Sequence, residues 1–198
     1  MSQPSPDKIA RLQRALDDYA CGSGETDLFD KEAEESKSKV RERALRLLDQ
    51  RSRSRQELAQ RLEKLEFDPA VVADVLDDLS RVGLVDDATF AREWVRQRHQ
   101  ARGKSARVLD QELQRKGVGA EERQEALEQI DAADERAMAW SLAQKKARGV
   151  KAVPADRHER DKALRRIVGV LARRGFRESD SLDLAKKALA EREAELEA

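Results

Sequence analysis

The chain has 198 residues, of which 39% are hydrophobic, 40% are charged and 4% are aromatic. This balance argues against one thick globular core and favours thin helical layers with wide solvated faces. Its 40 basic and 40 acidic side chains cancel, so the net charge does not indicate a partner. No apolar run approaches a membrane span, no signal-peptide core is recognisable and Cys21 has no second cysteine to pair with, so we expect a soluble cytoplasmic protein.

Residues 1–38 differ in composition from the rest of the chain. They contain two prolines, scattered serine and glycine, and the acidic stretch ETDLFDKEAEES. Ile9, Leu12 and Leu16 fall on one helical face, so a short helix in this segment is an alternative. A segment with so few apolar residues does not bury enough surface to offset the entropy of ordering, and the composition therefore predicts a disordered acidic tail.

From Val40 onward the apolar residues recur with a helical period. Val40, Ala44 and Leu47 share one stripe, and Ser54 with Glu57 forms a capping box before the next apolar run. No segment alternates with the period of two that marks a strand. Other helix starts and ends are indicated by capping residues or terminal glycines, at Asp68-Pro69, Gly83, Gly103, Ser105 and Gly117. The sequence therefore predicts an all-α fold.

The apolar pattern repeats along the chain. Leu58-x3-Leu62-x4-Phe67 is matched 51 residues later by Leu109-x3-Leu113-x4-Val118, and Ile167-x3-Leu171-x4-Phe176 is a third copy after a longer connection. Units of this size must stack to bury their apolar faces. We therefore expect an elongated, curved array of three three-helix repeats, over residues 39–85, 86–131 and 132–198. A long curved surface suits a large or periodic partner better than a small substrate.

The stretch GLVDDATFA contains the adjacent pair Asp86 and Asp87. An acid–base pair needs one carboxyl whose pKa is raised by burial or by a close negative charge. This pair instead lies between a helix-ending glycine and the apolar stripe that starts at Phe90, where carboxylates accept hydrogen bonds from free main-chain N–H groups. We therefore prefer helix capping, with catalysis, metal binding and partner contact as alternatives. The residues read as structural are Gly83, Leu84, Asp86, Asp87, Phe90, Gly103 and Gly117.

No other pattern in the sequence indicates catalysis. His99 and His158 both lie in charged sequence, so solvated surface positions are expected and a zinc site has no second ligand. Neither GxxxxGK[ST] nor GxGxxG is present, so a glycine loop for nucleotide phosphates is not expected. We therefore predict that the chain is not an enzyme and has no metal site and no cofactor.

Two stretches are rich in basic residues. Residues 88–116 contain eight basic and three acidic side chains, and residues 145–177 contain twelve and three. One interpretation is a solvated helix face with intrahelical ion pairs. The other is a surface for nucleic-acid phosphates or for an acidic protein, because unpaired like charges repel. The candidate contact residues are Arg92, Arg96, Arg98, Arg102, Lys104, Arg107, Arg115, Lys116, Lys145, Lys146, Arg148, Arg173 and Arg174, with Lys151, Arg165, Arg166 and Arg177 in the same stretches.

The two tryptophans are candidates for stacking on nucleic-acid bases. Trp94 shares the apolar stripe of its helix, so we expect it in the core. Trp140 has no such assignment, and both interpretations stay open for it.

Three motifs together give the sequence a family resemblance. The run from Arg51 to Gly119 resembles the RecX family of RecA regulators, and the similarity covers roughly residues 40–190, loosest in the third repeat. The motifs are R-S-x-x-E-L (Arg53, Ser54, Glu57, Leu58), G-L-[IV]-D-D-x-x-[FY]-A (Gly83 to Ala91), and R-x4-G-x5-[LI]-x2-E-L-x2-K-G (Arg98, Gly103, Leu109, Glu112, Leu113, Lys116, Gly117).

The resemblance implies an all-helical array that docks in the groove of the RecA–DNA filament. Such a protein is a negative modulator that limits filament extension and lowers ATPase, strand-exchange and co-protease activity, without chemistry of its own. We expect a monomer with accessory contact to single- or double-stranded DNA. The alternative function is a direct DNA-binding protein that competes with or bridges recombination filaments. The tail and the connection over residues 149–157 lie outside the motifs, so their roles are open.

Overall fold

The structure is a computed structural model that describes residues 31–198, and this part of the chain is helical without any strand. The predicted all-α, helical-repeat fold is confirmed. No helix within these residues is both long and apolar enough to cross a lipid bilayer. The helices are α1 (Lys31–Gln50), α2 (Arg55–Glu63), α3 (Pro69–Arg81), α4 (Asp87–Arg102), α5 (Ala106–Arg115), α6 (Ala120–Leu127), α7 (Ala132–Ala147), α8 (Arg157–Arg173) and α9 (Glu178–Glu197).

Helix α1 begins inside the segment predicted as a disordered tail. Residues 31–38 are helical, so the prediction is wrong for them. Their alanine, glutamate and lysine residues favour helix, and Lys37 forms a 3.0 Å ion pair with Asp74 of α3. The remainder of the predicted tail, with the Ile9, Leu12 and Leu16 face and Cys21, lies outside the described residues.

The helix starts follow the predicted capping signals. Asp68 accepts hydrogen bonds from the N–H groups of Ala70 and Val71 at the start of α3. The Ser54 hydroxyl accepts the Glu57 N–H at 3.2 Å, which is one half of the predicted capping box. The other half is wrong, because the Glu57 carboxylate accepts hydrogen bonds from basic side chains instead. Charged donors are stronger partners for a carboxylate than a main-chain amide.

Three hydrophobic clusters each draw on three consecutive helices, α1–α3, α4–α6 and α7–α9. The closely packed helix pairs also join helices of the same group. We call these groups units 1, 2 and 3, and we propose that they are the three repeats predicted from the sequence. The repeated apolar pairs are at most 1% exposed, namely Leu58 and Leu62, Leu109 and Leu113, and Ile167 and Leu171. Burial of each such side chain contributes about 1.5–3 kcal/mol.

Candidate functional site

Units 1 and 2 are joined where the start of α2 meets the end of α5. The Ser54 hydroxyl donates to the main-chain carbonyl of Lys116 at 2.6 Å. Asp87, at the start of α4, accepts the main-chain N–H of Arg55 at 2.8 Å. The Lys116 ammonium lies 2.8 Å from a carboxylate oxygen of Glu57. These contacts satisfy polar groups that helix ends leave unpaired, and we call this set joint 1.

Units 2 and 3 are joined in the same manner. The N–H of Ser105, the residue that caps α5, donates to the carbonyl of Arg174 at 2.9 Å. The N–H of Ala106 donates to the Glu135 carboxylate of α7 at 2.7 Å. In both joints a serine that caps a helix contacts the end of the second helix of the next unit. The main-chain N–H of the residue after that serine donates to an acidic side chain of the same next unit. We call this second set joint 2.

The adjacent aspartates of GLVDDATFA have different roles. Asp86 caps α4 and accepts the N–H and hydroxyl of Thr89 at 2.9 and 2.7 Å, and these bonds hold the pKa of Asp86 below its ordinary value. Burial raises the pKa of Asp87, and the hydrogen bond from the Arg55 N–H offsets this rise only in part. The capping prediction is therefore confirmed for Asp86 and wrong for Asp87, because the Asp87 carboxylate accepts the main-chain N–H of Arg55 in unit 1.

Replacing Asp87 with asparagine is expected to preserve the stability of joint 1, whereas alanine is expected to cost about 1–2 kcal/mol. The asparagine carbonyl still accepts the Arg55 N–H and carries no charge that burial disfavours, whereas alanine leaves that N–H unpaired. Urea unfolding of the three proteins at pH 7 measures this difference. Because the Asp87 pKa is raised on folding, any advantage of asparagine over aspartate should shrink as the pH falls through that pKa. Equal losses for both variants would contradict this role.

The other residues of GLVDDATFA connect the cores of units 1 and 2. Gly83 follows α3 with a left-handed φ of 74°. Val85 is 4% exposed and packs in the unit 1 cluster, whereas Leu84 is 54% exposed. Phe90 is buried in the unit 2 cluster, as predicted. The two later glycines of the motifs, Gly103 and Gly117, also have left-handed backbone.

Trp94 is the centre of a group of charges near joint 1. Its ring is partly buried with the unit 2 cluster, in agreement with the core prediction. The Arg98 guanidinium lies 3.5 Å from the ring centroid, and the Lys116 ammonium lies 4.3 Å from it. The indole N–H donates to Glu112 at 3.1 Å. A cation within about 6 Å of an indole centroid is attracted by the electron-rich face of the ring, so this tryptophan is engaged within the chain.

Glu112 binds two of the cations that were predicted as contact residues, Lys104 and Arg98. It accepts a hydrogen bond from Lys104 and lies 3.7 Å from Arg98. Burial acts to raise the pKa of Glu112, yet the bonds from Lys104 and Trp94 hold that pKa below its ordinary value. The same balance applies to Glu57, where bonds from Arg51 and Lys116 outweigh burial. These carboxylates thus neutralise much of the basic stretch of unit 2.

The remaining cations of unit 2 are also engaged, with one exception. Arg102 is exposed and forms no ion pair within the described residues. Residues 88–116 contain only three acidic side chains, but two further partners, Glu125 and Glu57, come from other helices. The engaged residues are Arg92 with Glu125 (2.9 Å), Arg96 with Glu93 (2.8 Å), Arg107 with the Gly175 carbonyl (3.1 Å) and Arg115 with the Gln111 carbonyl (3.1 Å).

The cations of unit 3 are different. Arg174 donates to the Arg102 carbonyl at 3.0 Å and thereby strengthens joint 2. The other predicted residues are exposed, and in the part of the chain that the structure describes they form no ion pair. With Arg102 we call them the unpaired set, which consists of Arg102, Lys145, Lys146, Arg148, Lys151, Arg165, Arg166, Arg173 and Arg177. The structure therefore divides the predicted contact residues into engaged and unpaired groups.

The histidines lie in two different environments. His99 is half-buried, and its Nδ1 lies 2.9 Å from the Lys104 carbonyl, so the predicted solvated position is wrong for it because the chain turns back after α4. His158 is exposed as predicted. Among residues 31–198 no group of three or more histidine, cysteine or acidic side chains is arranged to hold a metal ion.

Trp140, which the sequence left open, packs against the unit 3 cluster. The Lys187 ammonium lies 4.8 Å from its ring centroid. Its indole is thus partly covered by the chain itself.

The chain matches family descriptions in two adjoining regions. Residues 41–79 match the first three-helix domain of RecX, and residues 86–127 match the second three-helix domain of RecX. These regions contain the helices of units 1 and 2 that form joint 1.

Similar proteins cover nearly the whole chain. A Corynebacterium efficiens protein named Regulatory protein RecX is 56% identical over 93% of this chain and 90% of its own length. A Mycolicibacterium vanbaalenii protein of the same name is 44% identical over 80% of this chain and 89% of its own length. The crystal structure of RecX from Lactobacillus salivarius is 22% identical and shares the fold with a TM-score of 0.63, covering 79% of this chain and 97% of that one. The chain belongs to the RecX family.

Proposed function

We propose that this chain is a negative modulator of the RecA recombinase. It binds as a monomer in the groove of the RecA–DNA filament, in the cytoplasm, and inhibits filament extension, ATPase, strand exchange and co-protease activity in DNA repair and the SOS response. It acts by binding and not by catalysis. The observation that carries this proposal is family membership, since the relatives that match over most of the chain are named Regulatory protein RecX.

The arrangement of the units supports binding to a large partner. Joints 1 and 2 fix three helical units in sequence, and stacked helical repeats present long continuous surfaces. The unpaired set adds exposed positive charge at the end of α4 and on unit 3. A filament of protein and DNA offers both a periodic surface and negative phosphates, so these two features complement it.

The proposal predicts a lower rate of RecA's single-stranded-DNA-dependent ATPase when this chain is added. Because one bound molecule at a growing end halts many later additions, inhibition should appear below one chain per RecA protomer. Steady-state ATP hydrolysis at increasing chain concentration measures it. An unchanged rate of ATP hydrolysis when this chain is in stoichiometric excess over RecA would contradict the proposal.

The residues of the unpaired set provide a sharper version of this test. Changing Arg102, Arg148 and Arg173 to glutamate is expected to raise the half-inhibitory concentration about tenfold or more, because three exposed contacts become repulsive. Reversal of Arg98 or Lys104 would instead disturb Glu112 inside unit 2. The matched control is Arg61, Lys64 and Lys186 to glutamate, which changes the charge equally, and circular dichroism checks that both variants stay helical. An equal rise of the half-inhibitory concentration in both triple variants would mean that inhibition depends on net charge and not on these three positions.

Direct DNA binding is a second candidate, which the unpaired set favours. It predicts tight binding to naked DNA, with log affinity falling steeply against log salt. Inhibition of RecA would then disappear when the filament is assembled on DNA before the chain is added. Inhibition that persists in this order of addition would favour filament binding.

A further inference from the structure

A cavity of about 370 Å³ lies beside the connection between α7 and α8. Its apolar wall includes Val150 and Ile167, which pack with the unit 3 cluster. Four lining residues are cations from three successive segments of the chain, namely Lys146 of α7, Lys151 of the connection, and Lys162 and Arg166 of α8. The connection therefore brings together charges that are up to 20 positions apart in the sequence.

In the described part of the chain these four cations have no ion-pair partner. All four are exposed. Glu159 is the acidic residue among the lining side chains, and its carboxylate accepts the N–H of Ala155 at 3.0 Å, which shapes the connection itself. The contrast with unit 2 is direct, since most cations there are held by Glu57, Glu93, Glu112 and Glu125.

The cations on α8 continue in a row beyond the cavity. Lys162 and Arg166 are four residues apart and Arg173 follows seven residues later, so the three share one face of α8 with a rise of about 6 Å and then about 10 Å. A Cβ added at Gly169 would lie 3.4 Å from the Arg173 guanidinium, which places that side chain back along the same face. A single small anion needs only the cavity, whereas a row of cations suits a polymer with regularly spaced charges.

We propose that this cavity binds the phosphodiester backbone of a nucleic-acid strand, with Lys146, Lys162 and Arg166 contacting phosphate oxygens and Lys151 closing on them from the connection. Guanidinium groups bind phosphate through two parallel N–H donors and ammonium groups bind it as compact charges. The connection over residues 149–157, whose role the sequence left open, thereby forms one side of the site. The inference rests on the proposed function, which places the chain on a filament that contains DNA.

The test compares two triple variants of the full chain. The pocket variant carries Lys146→Gln, Lys162→Gln and Arg166→Gln. The control carries Arg61→Gln, Lys64→Gln and Lys186→Gln, which are exposed, form no ion pair within the described residues and lie outside the cavity lining. Fluorescence anisotropy with a labelled oligothymidylate measures the dissociation constant between 50 and 200 mM salt. Each phosphate contact on a single strand contributes about 0.7 to the steepness of log affinity against log salt. Loss of three contacts should therefore make this slope shallower by about two in the pocket variant. Its affinity should also fall about tenfold or more at intermediate salt.

Competition identifies the ligand chemistry. Unlabelled oligothymidylate should displace the probe far better than inorganic phosphate or poly-glutamate at equal charge concentration. Equal losses in both triple variants, an unchanged pocket variant, or equal competition by poly-glutamate would each overturn the proposal. RecA ATPase inhibition is measured in parallel with the unchanged chain. Its absence would overturn the proposed function while the DNA affinities still decide the role of the cavity.

Discussion

Replacing Gly175 with alanine is expected to destabilise the protein by about 2–5 kcal/mol and to loosen joint 2. Gly175 follows α8 with a left-handed φ of 86°, which costs a residue with a Cβ about 1–2 kcal/mol. The new Cβ would overlap the Val108 side chain, and it would lie 2.6 Å from the Ser105 hydroxyl. Overpacking of this kind adds about 1–3 kcal/mol.

Gly83 provides the matched control for this variant. Its φ of 74° is also left-handed, but a Cβ added there meets no heavy atom within 4 Å. Alanine at this position should therefore lower the free energy of unfolding only by the strain of the left-handed backbone, about 1–2 kcal/mol. Urea unfolding gives both values, and hydrogen exchange shows whether α8 and α9 lose protection in the Gly175 variant alone. Equal losses at the two glycines would mean that joint 2 accommodates the extra methyl group.

Replacing Glu112 with alanine is expected to cost about 1–3 kcal/mol. The change leaves Lys104 and Arg98 without their shared carboxylate and the Trp94 N–H without its acceptor. Removing one member of a partly buried charge group has a large effect because the remaining charges stay desolvated. The Glu112 side chain is 17% exposed, so solvent screens its interactions with Lys104 and Arg98 less than it screens an ion pair at the surface.

Glu125 is the matched control, because it also pairs with an arginine but is 59% exposed. Its replacement by alanine should cost no more than about 0.5 kcal/mol. The pH dependence gives a second measurement. Since folding lowers the pKa of Glu112, its contribution is present above the ordinary value of 4.5 and is lost as the pH falls through the folded pKa. The Glu112→Gln variant should therefore lose less stability between pH 6 and pH 3 than the unchanged protein. Parallel pH profiles would contradict this assignment.

The helices and their cores could be predicted from the sequence because their signals are local. Leu109 and Leu113 lie one helical turn apart and both are fully buried. Ser105 caps its own helix three residues before the N–H that it accepts. Only four residues or fewer separate the members of each pair, so periodicity and capping rules apply directly. The start of α1 was missed because charged helix formers resemble a disordered segment in composition.

The pairing of charges could not be predicted from the basic stretches themselves. Lys116 is 59 residues from its partner Glu57, and Arg92 is 33 residues from Glu125. Such contacts depend on how units pack, which local charge counts do not contain. A usable signal was nevertheless present. Glu57 belongs to the R-S-x-x-E-L motif and Lys116 to the R-x4-G-x5-[LI]-x2-E-L-x2-K-G motif, so two of the three motifs that carry the family resemblance meet at joint 1.

The repetition of the joints has a consequence for the order in which the protein opens. Unit 2 is fastened on both sides, through Ser54 and Asp87 to unit 1 and through Ser105 and Glu135 to unit 3. Opening either outer unit breaks one set of bonds, whereas opening the middle unit breaks both. In a linear array whose stability is a sum over units and their contacts, local unfolding therefore starts at the ends. The middle unit, whose cations are largely engaged, is therefore expected to unfold last. Its contacts at joint 2 fix the position of unit 3 and of the exposed charges that unit 3 carries.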